Sequence, residues 1–130
     1  MSYWYLASPY THYEEGRQAA FEHISKVAGE LFGQGIPIFC PIAHGHPMSI
    51  YGGMPPGEVG DKHWQMWIDS GKYFMEGAIG CIVSTMKGWE VSPGVLNEIA
   101  YFKKAGKPIM YLPYGQTANN MTIRNPEDDE

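Results

Sequence analysis

The segment at residues 88–108, GWEVSPGVLNEIAYFKKAGKP, contains a carboxylate that its predicted helix does not need. Glu98 lies about one and a half turns into that helix, whereas a helix dipole acts mainly on charges in the first turn. Gly94 precedes Glu98 by about one turn of 3.6 residues, so the two positions share a side of the helix. A carboxylate behind a residue without a side chain has room for a ligand. Glu98 is therefore either a ligand-facing, catalytic carboxylate or a solvated side chain with lysine partners.

The helix that carries Glu98 has clear signals at both ends. Ser92 can cap it and Pro93 suits its first position, while Gly106 and then Pro108 end it. Its apolar face consists of Val95, Ile99 and Phe102. The free backbone N–H groups at the start of a helix, together with a serine hydroxyl, can bind an anion such as a phosphate. The alternative for Ser92 is a plain helix cap.

Asp69 is a second candidate, on a helix predicted at residues 61–77. Two carboxylates from helices that flank one strand suit the cleavage of a glycosidic bond. One attacks or stabilises the anomeric carbon, and the other positions the sugar or handles a proton. The alternative for Asp69 is an exposed ion pair with Lys72, which would contribute little to stability.

Histidines offer a weaker case for a metal site. His44 and His46 have the alternate spacing of some metal ligands, and Asp61 and His63 follow in the next segment. Spacing fixes no further ligand, however. We therefore favour histidines that hydrogen-bond a ligand or stabilise their loop, and we expect neither a metal nor another cofactor.

Two aromatic residues and two cysteines complete the set of candidates. Tyr10 follows the first predicted strand and Trp89 shortly precedes the Glu98 helix. Each aromatic side chain can stack on a planar ligand or simply pack beneath a loop. Cys40 and Cys81 lie in apolar runs, so we interpret them as buried free thiols and not as nucleophiles or disulfide partners.

Short apolar runs alternate with amphipathic segments along the chain. We predict strands at residues 3–7, 36–41, 78–84 and 108–112, helices at 13–34, 61–77 and 93–105, and a long loop at 42–60. This alternation predicts an α/β fold, a small doubly wound parallel sheet of the flavodoxin-like or Rossmann-like type. We expect about four to five strands in three α/β/α layers, with strand order near 2-1-3-4. Ligands bind such sheets beyond the carboxyl ends of the strands, where the segments 8–12, 42–60 and 87–92 would meet.

Composition and charge exclude several classes of function. The chain has 130 residues, of which 9 are basic and 14 acidic, with a formal net charge of -5. It has no basic stripe, so we expect no binding of nucleic acid. It also lacks a leader-like segment and a run long enough to span a membrane, so we expect a cytoplasmic protein with no membrane partner. We predict a single domain at residues 1–118 and an acidic tail at 119–130, in which residues 121–123 could add an edge strand.

Three motifs together resemble the nucleoside 2-deoxyribosyltransferase superfamily, which includes the 2'-deoxynucleoside 5'-phosphate N-hydrolases. The motifs are YLASPYT, WIDSG and GWEVSPGVLNEIAYFKKAGKPI, and the similarity spans about residues 3–112. The third motif is the most specific, and the other two are short. The similarity is greatest to a bacterial or phage branch of the superfamily.

The resemblance implies cleavage or transfer of the N-glycosidic bond of a deoxynucleoside or deoxynucleotide. Glu98 matches the nucleophile, and Asp69 matches a helical aspartate that orients the sugar or assists at the base. Ser92 stands where hydrolases of deoxynucleoside 5'-monophosphates have a phosphate-binding serine. Ser8 and Tyr10, after the first strand, would contact sugar or phosphate. The implied partner is a small-molecule nucleotide or nucleoside.

The predicted fold and the resemblance also set expectations for the base and for assembly. From their places in the predicted fold, and not from the resemblance, we expect His44 and His46 to meet the base or close over it, and Trp89 and Gly94 to lie beside the ligand. Related proteins share sites between subunits, which implies a homodimer or homotetramer. This chain departs from the superfamily in having Gly80 where many members have aspartate, and in its histidine-containing loop. The alternatives are a nucleotide-binding or sensing module without catalysis and, less favoured, a metal-dependent hydrolase that uses histidines.

Overall fold

The computed structural model describes residues 2–53 and 62–114. Its strands and helices follow one another in the order β1 (Trp4–Ala7), α1 (Arg17–Gly33), β2 (Ile38–Phe39), α2 (Pro41–Tyr51), α3 (Lys62–Gly77), β3 (Gly80–Thr85), α4 (Pro93–Lys104) and β4 (Ile109–Pro113). One turn of 3-10 helix at Trp89–Val91 leads into α4. No helix among the described residues is long and apolar enough to cross a membrane.

The described strands form one parallel sheet in the order β2-β1-β3-β4, so the predicted α/β fold and strand order are confirmed. β1 pairs with β2 on one side and with β3 on the other, with Ala7 beside Val83 near their carboxyl ends. From β1 the chain adds β2 on one side of the sheet and then β3 and β4 on the other, so the order of the strands changes direction between β1 and β3. In sheets of this type, that point is where a ligand crevice forms.

Alternate residues of the central strands pack on opposite layers of helices. The face covered by α1 and α2 contains the buried side chains of Trp4, Leu6 and Ile82. The face covered by α3 and α4 contains those of Tyr5, Ala7 and Val83. Because strand side chains alternate between faces, this division assigns every residue of β1 and β3 to one helix layer.

The prediction of a loop at residues 42–60 is wrong in its first part, because the helix α2 begins at Pro41, shortly after β2 ends at Phe39. Pro41 suits the first helical position, but Pro47 inside the helix is ordinarily a breaker. Contacts distant in sequence compensate, since Gly45 is buried against the ring of Trp67 and a Cβ there would lie 3.0 Å from that ring. Tertiary packing here overrides local propensity.

The structure also differs from the prediction in the bounds of two elements, α1 and β2. α1 begins at Arg17 and not at residue 13, because residues 13–16 form a turn that ends at Gly16 with φ of 97°. β2 is only the dipeptide Ile38–Phe39. The predicted cap Asp61, part of the predicted loop, and the tail at 119–130 with its proposed edge strand lie outside the described residues.

Gly80 has a packing explanation. A Cβ at this position would lie 2.6 Å from the Trp4 ring and 2.7 Å from the carbonyl oxygen of Pro108. Real Cβ atoms do not approach other atoms this closely, and a backbone oxygen cannot move aside cheaply. This chain therefore has no room for an aspartate, or any side chain, at the start of β3.

Candidate active site

The helix start that precedes Glu98 forms as its sequence predicts. α4 begins at Pro93, and the Ser92 side chain accepts a hydrogen bond from the Val95 backbone N–H at 3.4 Å. The predicted apolar face is buried against the sheet and ends in a last turn with two lysines. Ser92 is thus a helix cap, with its side chain half-buried beside the free N–H groups of the first turn.

Glu98 is not a solvated surface residue. The residue as a whole keeps intermediate exposure, but its carboxyl group is withdrawn from solvent and lies near enough to Tyr5 for the Tyr5 hydroxyl to act on its pKa. Burial raises the pKa of Glu98 to about 7, while the bond from Tyr5 acts in the opposite direction and favours the carboxylate. A carboxyl group with this pKa exists in both protonation states at neutral pH.

Tyr5 is a site residue that the sequence interpretation missed. It lies in β1 on the face covered by α4, directly beside Cys81 of β3 in the register of the sheet. Burial and then the charge of Glu98 raise the pKa of Tyr5 well above its ordinary value, so its hydroxyl keeps its hydrogen and can act as a donor toward the carboxylate. The alternation of faces along β1 was the available signal, since it directs Tyr5 and Glu98 to the same layer.

The two cysteines are free and buried, as predicted. Burial raises the pKa of Cys40 to about 11, and burial raises the pKa of Cys81 still further. The nearby charge of Glu98 acts on both thiols in the same direction. Both thiols therefore remain protonated, and the carboxylate is the better nucleophile in this part of the molecule.

Open space adjoins the Glu98 turn of α4. A Cβ built on Gly94 would meet no atom within 4 Å. Gly94 and Glu98 are separated by about one helical turn. The space at Gly94 is thus open, and its use by a ligand of Glu98 stays a prediction.

Asp69 lies on the exposed side of α3. Its carboxylate accepts a hydrogen bond from the Gln65 amide at 2.8 Å and lies 3.9 Å from the Lys72 ammonium. These contacts are those of an ordinary surface helix position. The structure does not show Asp69 beside the Glu98 carboxyl, and its part in the chemistry stays a prediction.

The two histidines point to opposite sides of α2, because two residues along a helix correspond to about 200° of rotation. His44 is exposed, with its ring 5.5 Å from that of Phe39 and 5.9 Å from that of Phe74. His46 is buried on the α1 side, stacked 4.5 Å from the ring of Phe21. The two therefore cannot ligate one ion, and within residues 2–53 and 62–114 no group of three potential ligands is placed to hold a metal.

Tyr10 and Trp89 both make contacts with the protein. The Tyr10 hydroxyl lies 2.7 Å from Nδ1 of His46, and the Arg17 guanidinium lies 5.9 Å from its ring centre. Trp89 packs at 5.5 Å against the ring of Tyr111. Both side chains are half-buried, so each retains some exposed surface at the carboxyl edge of the sheet.

Two buried hydroxyls at this edge have no hydrogen-bond partner among the described residues. They belong to Ser8 and Ser84, which directly follow the paired residues Ala7 and Val83. By the alternation of the strands, both lie on the face of the sheet that α1 and α2 cover. Buried hydroxyls usually find a partner, in protein or in water.

A separate groove is present among the described residues. It has a volume of about 420 Å³ and is lined by α1, β2 and α2, including Phe39, Cys40 and His44. Neither Tyr5 nor Glu98 lines it. Because the described residues that line this groove are mostly apolar and none of them is acidic, we place the candidate chemistry at Glu98.

A comparison with protein families finds one match that spans most of the chain. Residues 2–113 match a family described as a domain of unknown function, DUF1937. Among curated proteins, none matches the chain.

Proposed function

The chain belongs to the DUF1937 family, and we propose that it cleaves or transfers the N-glycosidic bond of a deoxynucleoside 5'-monophosphate, with Glu98 as nucleophile. The observation that carries the proposal is the Glu98 carboxyl, withdrawn from solvent and acted on by the Tyr5 hydroxyl, together with the open space at Gly94 one helical turn before it. The resemblance of residues 88–109 to deoxyribosyltransferases supports the same assignment.

The reaction requires an ionised Glu98. One carboxylate oxygen attacks C1' of the sugar, the bond from C1' to the base nitrogen breaks, and its electron pair leaves with the base, which takes a proton from solvent. Water then attacks C1' and gives up a proton to solvent, the bond from C1' to the Glu98 oxygen breaks, and the sugar phosphate leaves with the carboxylate restored; in a transfer reaction the nitrogen of a second base takes the place of this water and loses its proton in the same way. The Tyr5 hydroxyl donates to Glu98 throughout and so favours its ionised form.

The raised pKa gives this mechanism a pH dependence. Glu98 has a pKa of about 7, so only part of the enzyme holds a carboxylate at neutral pH. The nucleophile becomes available as pH rises, and kcat/KM should increase through pH 7 and then level off.

The remaining contacts of the substrate follow from the start of α4 and the carboxyl edge. Ser92 and the free N–H groups after it provide an anion site suited to a 5'-phosphate. Tyr10 and the exposed His44 would meet the base or the sugar. Asp69 is assigned to the sugar hydroxyls on the resemblance alone, since its contacts in this structure are with Gln65 and Lys72.

That position of Asp69 favours one alternative, a module that binds a nucleotide without cleaving it. With no second carboxylate shown beside Glu98 within residues 2–53 and 62–114, such a protein would hold a nucleotide at Ser92 and Tyr10 and leave its glycosidic bond intact. Binding without release of free base distinguishes this alternative from the enzyme.

The test is a chromatographic screen for free base released from deoxyribonucleoside and ribonucleoside 5'-monophosphates. We expect release from at least one deoxynucleotide, and a loss of about a thousandfold or more in Glu98→Ala and Glu98→Gln. Glu30→Gln, an exposed glutamate near the end of α1, is the matched control and should keep full activity. Undiminished turnover in Glu98→Ala would rule out the mechanism, and binding without release in the wild type would establish the alternative.

A further inference from the structure

His46 is held on both sides by aromatic rings and at both nitrogens by hydrogen bonds. Its side chain is only 7% exposed. Phe21 stacks on its face at 4.5 Å, and the Tyr10 ring meets it edge-on at 5.7 Å. Nδ1 lies 2.7 Å from the Tyr10 hydroxyl, and Nε2 lies 3.0 Å from the amide oxygen of Gln18. His46 thus joins the segment after β1 to α1 and α2.

The hydrogen bonds around His46 run in one direction. The Gln18 amide nitrogen donates to the Glu22 carboxylate at 3.2 Å, so it is the amide oxygen of Gln18 that faces His46. An amide oxygen only accepts, hence Nε2 carries the imidazole hydrogen. In a neutral imidazole Nδ1 is then an acceptor, and the Tyr10 hydroxyl must donate to it.

The surroundings of His46 keep it neutral. Burial and the Arg17 guanidinium lower the pKa of His46, and the Glu22 carboxylate acts weakly in the opposite direction. The adjacent Ser49 hydroxyl donates to the His46 carbonyl oxygen at 2.7 Å. The ordered chain of donors from Tyr10 through His46 and Gln18 to Glu22 is therefore the arrangement at neutral pH.

We propose that His46 is a positioning residue that commits the Tyr10 hydroxyl hydrogen to the protein, so that Tyr10 offers a ligand only oxygen lone pairs. Tyr10 is half-buried and directly follows Pro9 after β1, at the carboxyl edge where the ligand of the proposed function binds. It then accepts a hydrogen bond from an N–H or O–H group, such as a deoxyribose hydroxyl or an exocyclic amine. An anionic phosphate oxygen, which needs a donor, is directed to Ser92 instead. The ligand part of this inference rests on the proposed function.

The first arm of the test needs no nucleotide. Long-range 15N–1H spectra of the 15N-labelled wild-type protein at pH 7 should show that Nε2 of His46 carries a hydrogen and that Nδ1 is unprotonated. The exposed His44 on the same helix is an internal reference and should show a mixture of the two tautomers. A hydrogen on Nδ1 of His46 would overturn the proposal whatever the protein does with nucleotides.

The second arm compares Tyr10→Phe, His46→Phe and the double variant with the wild type. Phenylalanine retains the stacking on Phe21, and thermal melting confirms that each variant folds. Using the deoxynucleoside 5'-monophosphate that gives the highest turnover, or binds most tightly in calorimetry, we expect each single variant to raise KM or Kd about tenfold. If His46 acts through Tyr10, the double variant is no worse than Tyr10→Phe alone.

The outcomes separate this proposal from the proposed function. Multiplicative losses of about a hundredfold in the double variant, or an unchanged KM and Kd in His46→Phe, would overturn the proposal while base release stands. A wild-type protein that neither binds nor cleaves any nucleotide would refute the proposed function and with it the ligand role of Tyr10. Loss of base release in Glu98→Gln together with the expected effects of the Tyr10 and His46 variants would support both.

Discussion

Replacement of Glu98 by glutamine tests the enclosed carboxyl group through stability alone, without any substrate. Burial raises the pKa of Glu98 from 4.5 to about 7 in the folded protein. Below pH 4.5 the group is protonated in both the folded and the unfolded chain, and its full contribution to stability is present. As pH rises from 4.5 toward 7 the unfolded chain ionises while the folded protein keeps the proton, so stability is lost until the folded carboxyl also ionises above pH 7.

The size of this loss follows from the two pKa values. A pKa raised from 4.5 to about 7 corresponds to about 3 kcal/mol of unfolding free energy, lost progressively between about pH 4.5 and pH 8. Glutamine has nearly the same shape and carries no charge at any pH. Relative to the wild type, Glu98→Gln should therefore gain about 3 kcal/mol between pH 4.5 and pH 9, or about 10 °C in Tm.

Urea denaturation of the wild type, Glu98→Gln and Glu30→Gln at pH 4.5 and pH 9 measures this gain. The difference between Glu98→Gln and the wild type should grow with pH, whereas the exposed Glu30 should give a difference that hardly changes. A Glu98→Gln effect equal at both pH values would show that the carboxyl is solvated, and the argument for its catalytic role would fail with it.

Three further substitutions address the space around the site. Gly80→Ala should lower the free energy of unfolding by about 3 kcal/mol, because a Cβ would lie 2.7 Å from the Pro108 carbonyl oxygen. If urea denaturation gives this variant a free energy of unfolding within about 1 kcal/mol of the wild type, the close packing at Gly80 is contradicted. Gly94→Ala should preserve or slightly raise stability, since nothing lies within 4 Å, yet lower kcat/KM by roughly tenfold or more by filling the space near Glu98. Unchanged kinetics in that variant would place the ligand elsewhere. Tyr5→Phe should raise the pKa of Glu98 further and move the midpoint of the pH–kcat/KM profile upward; a midpoint that stays or falls would refute the hydrogen bond between the two.

The sequence predicts α4 almost completely because the signals for that helix are local. The Ser92 cap, Pro93 at the first position and the apolar spacing of Val95 and Ile99 all lie within a dozen residues. The strand order was predictable for a related reason. Apolar runs that alternate with amphipathic helices leave few sheets whose crossovers are right-handed.

α2 was not predictable because its support comes from other parts of the chain. Locally, Gly45 and Pro47 indicate a loop. The ring of Trp67 packs against Gly45, and Phe21 stacks on His46, so the helix persists through contacts that no short window contains. The error also affected the histidines, since a loop would allow both to face one ligand and a helix separates them.

The environment of Glu98 depends on the same kind of distant contact. Its spacing on α4 indicated an unusual carboxylate, but the pKa of about 7 arises from enclosure against β1 and β3 and cannot be obtained from the sequence of α4. For Asp69 the sequence motif and the contacts in the structure differ. Its motif suggested a second carboxylate in the site, whereas its position on α3 directs it toward Gln65 and Lys72.

The polar groups of the two faces can act on one molecule only at the carboxyl edge of the sheet. Glu98 and Tyr5 lie in the layer of α3 and α4, whereas Tyr10 and His46 belong to the layer of α1 and α2. β1 separates the two layers until it ends at Ala7, beside the end of β3. A ligand that touches Glu98 and Tyr10 together must therefore cross the edge where β1 and β3 end, which is the point where the order of the strands reverses. Such a ligand needs a reactive carbon at one end and a hydrogen-bond donor at the other, as a nucleotide has in its C1' and its sugar hydroxyl or base amine.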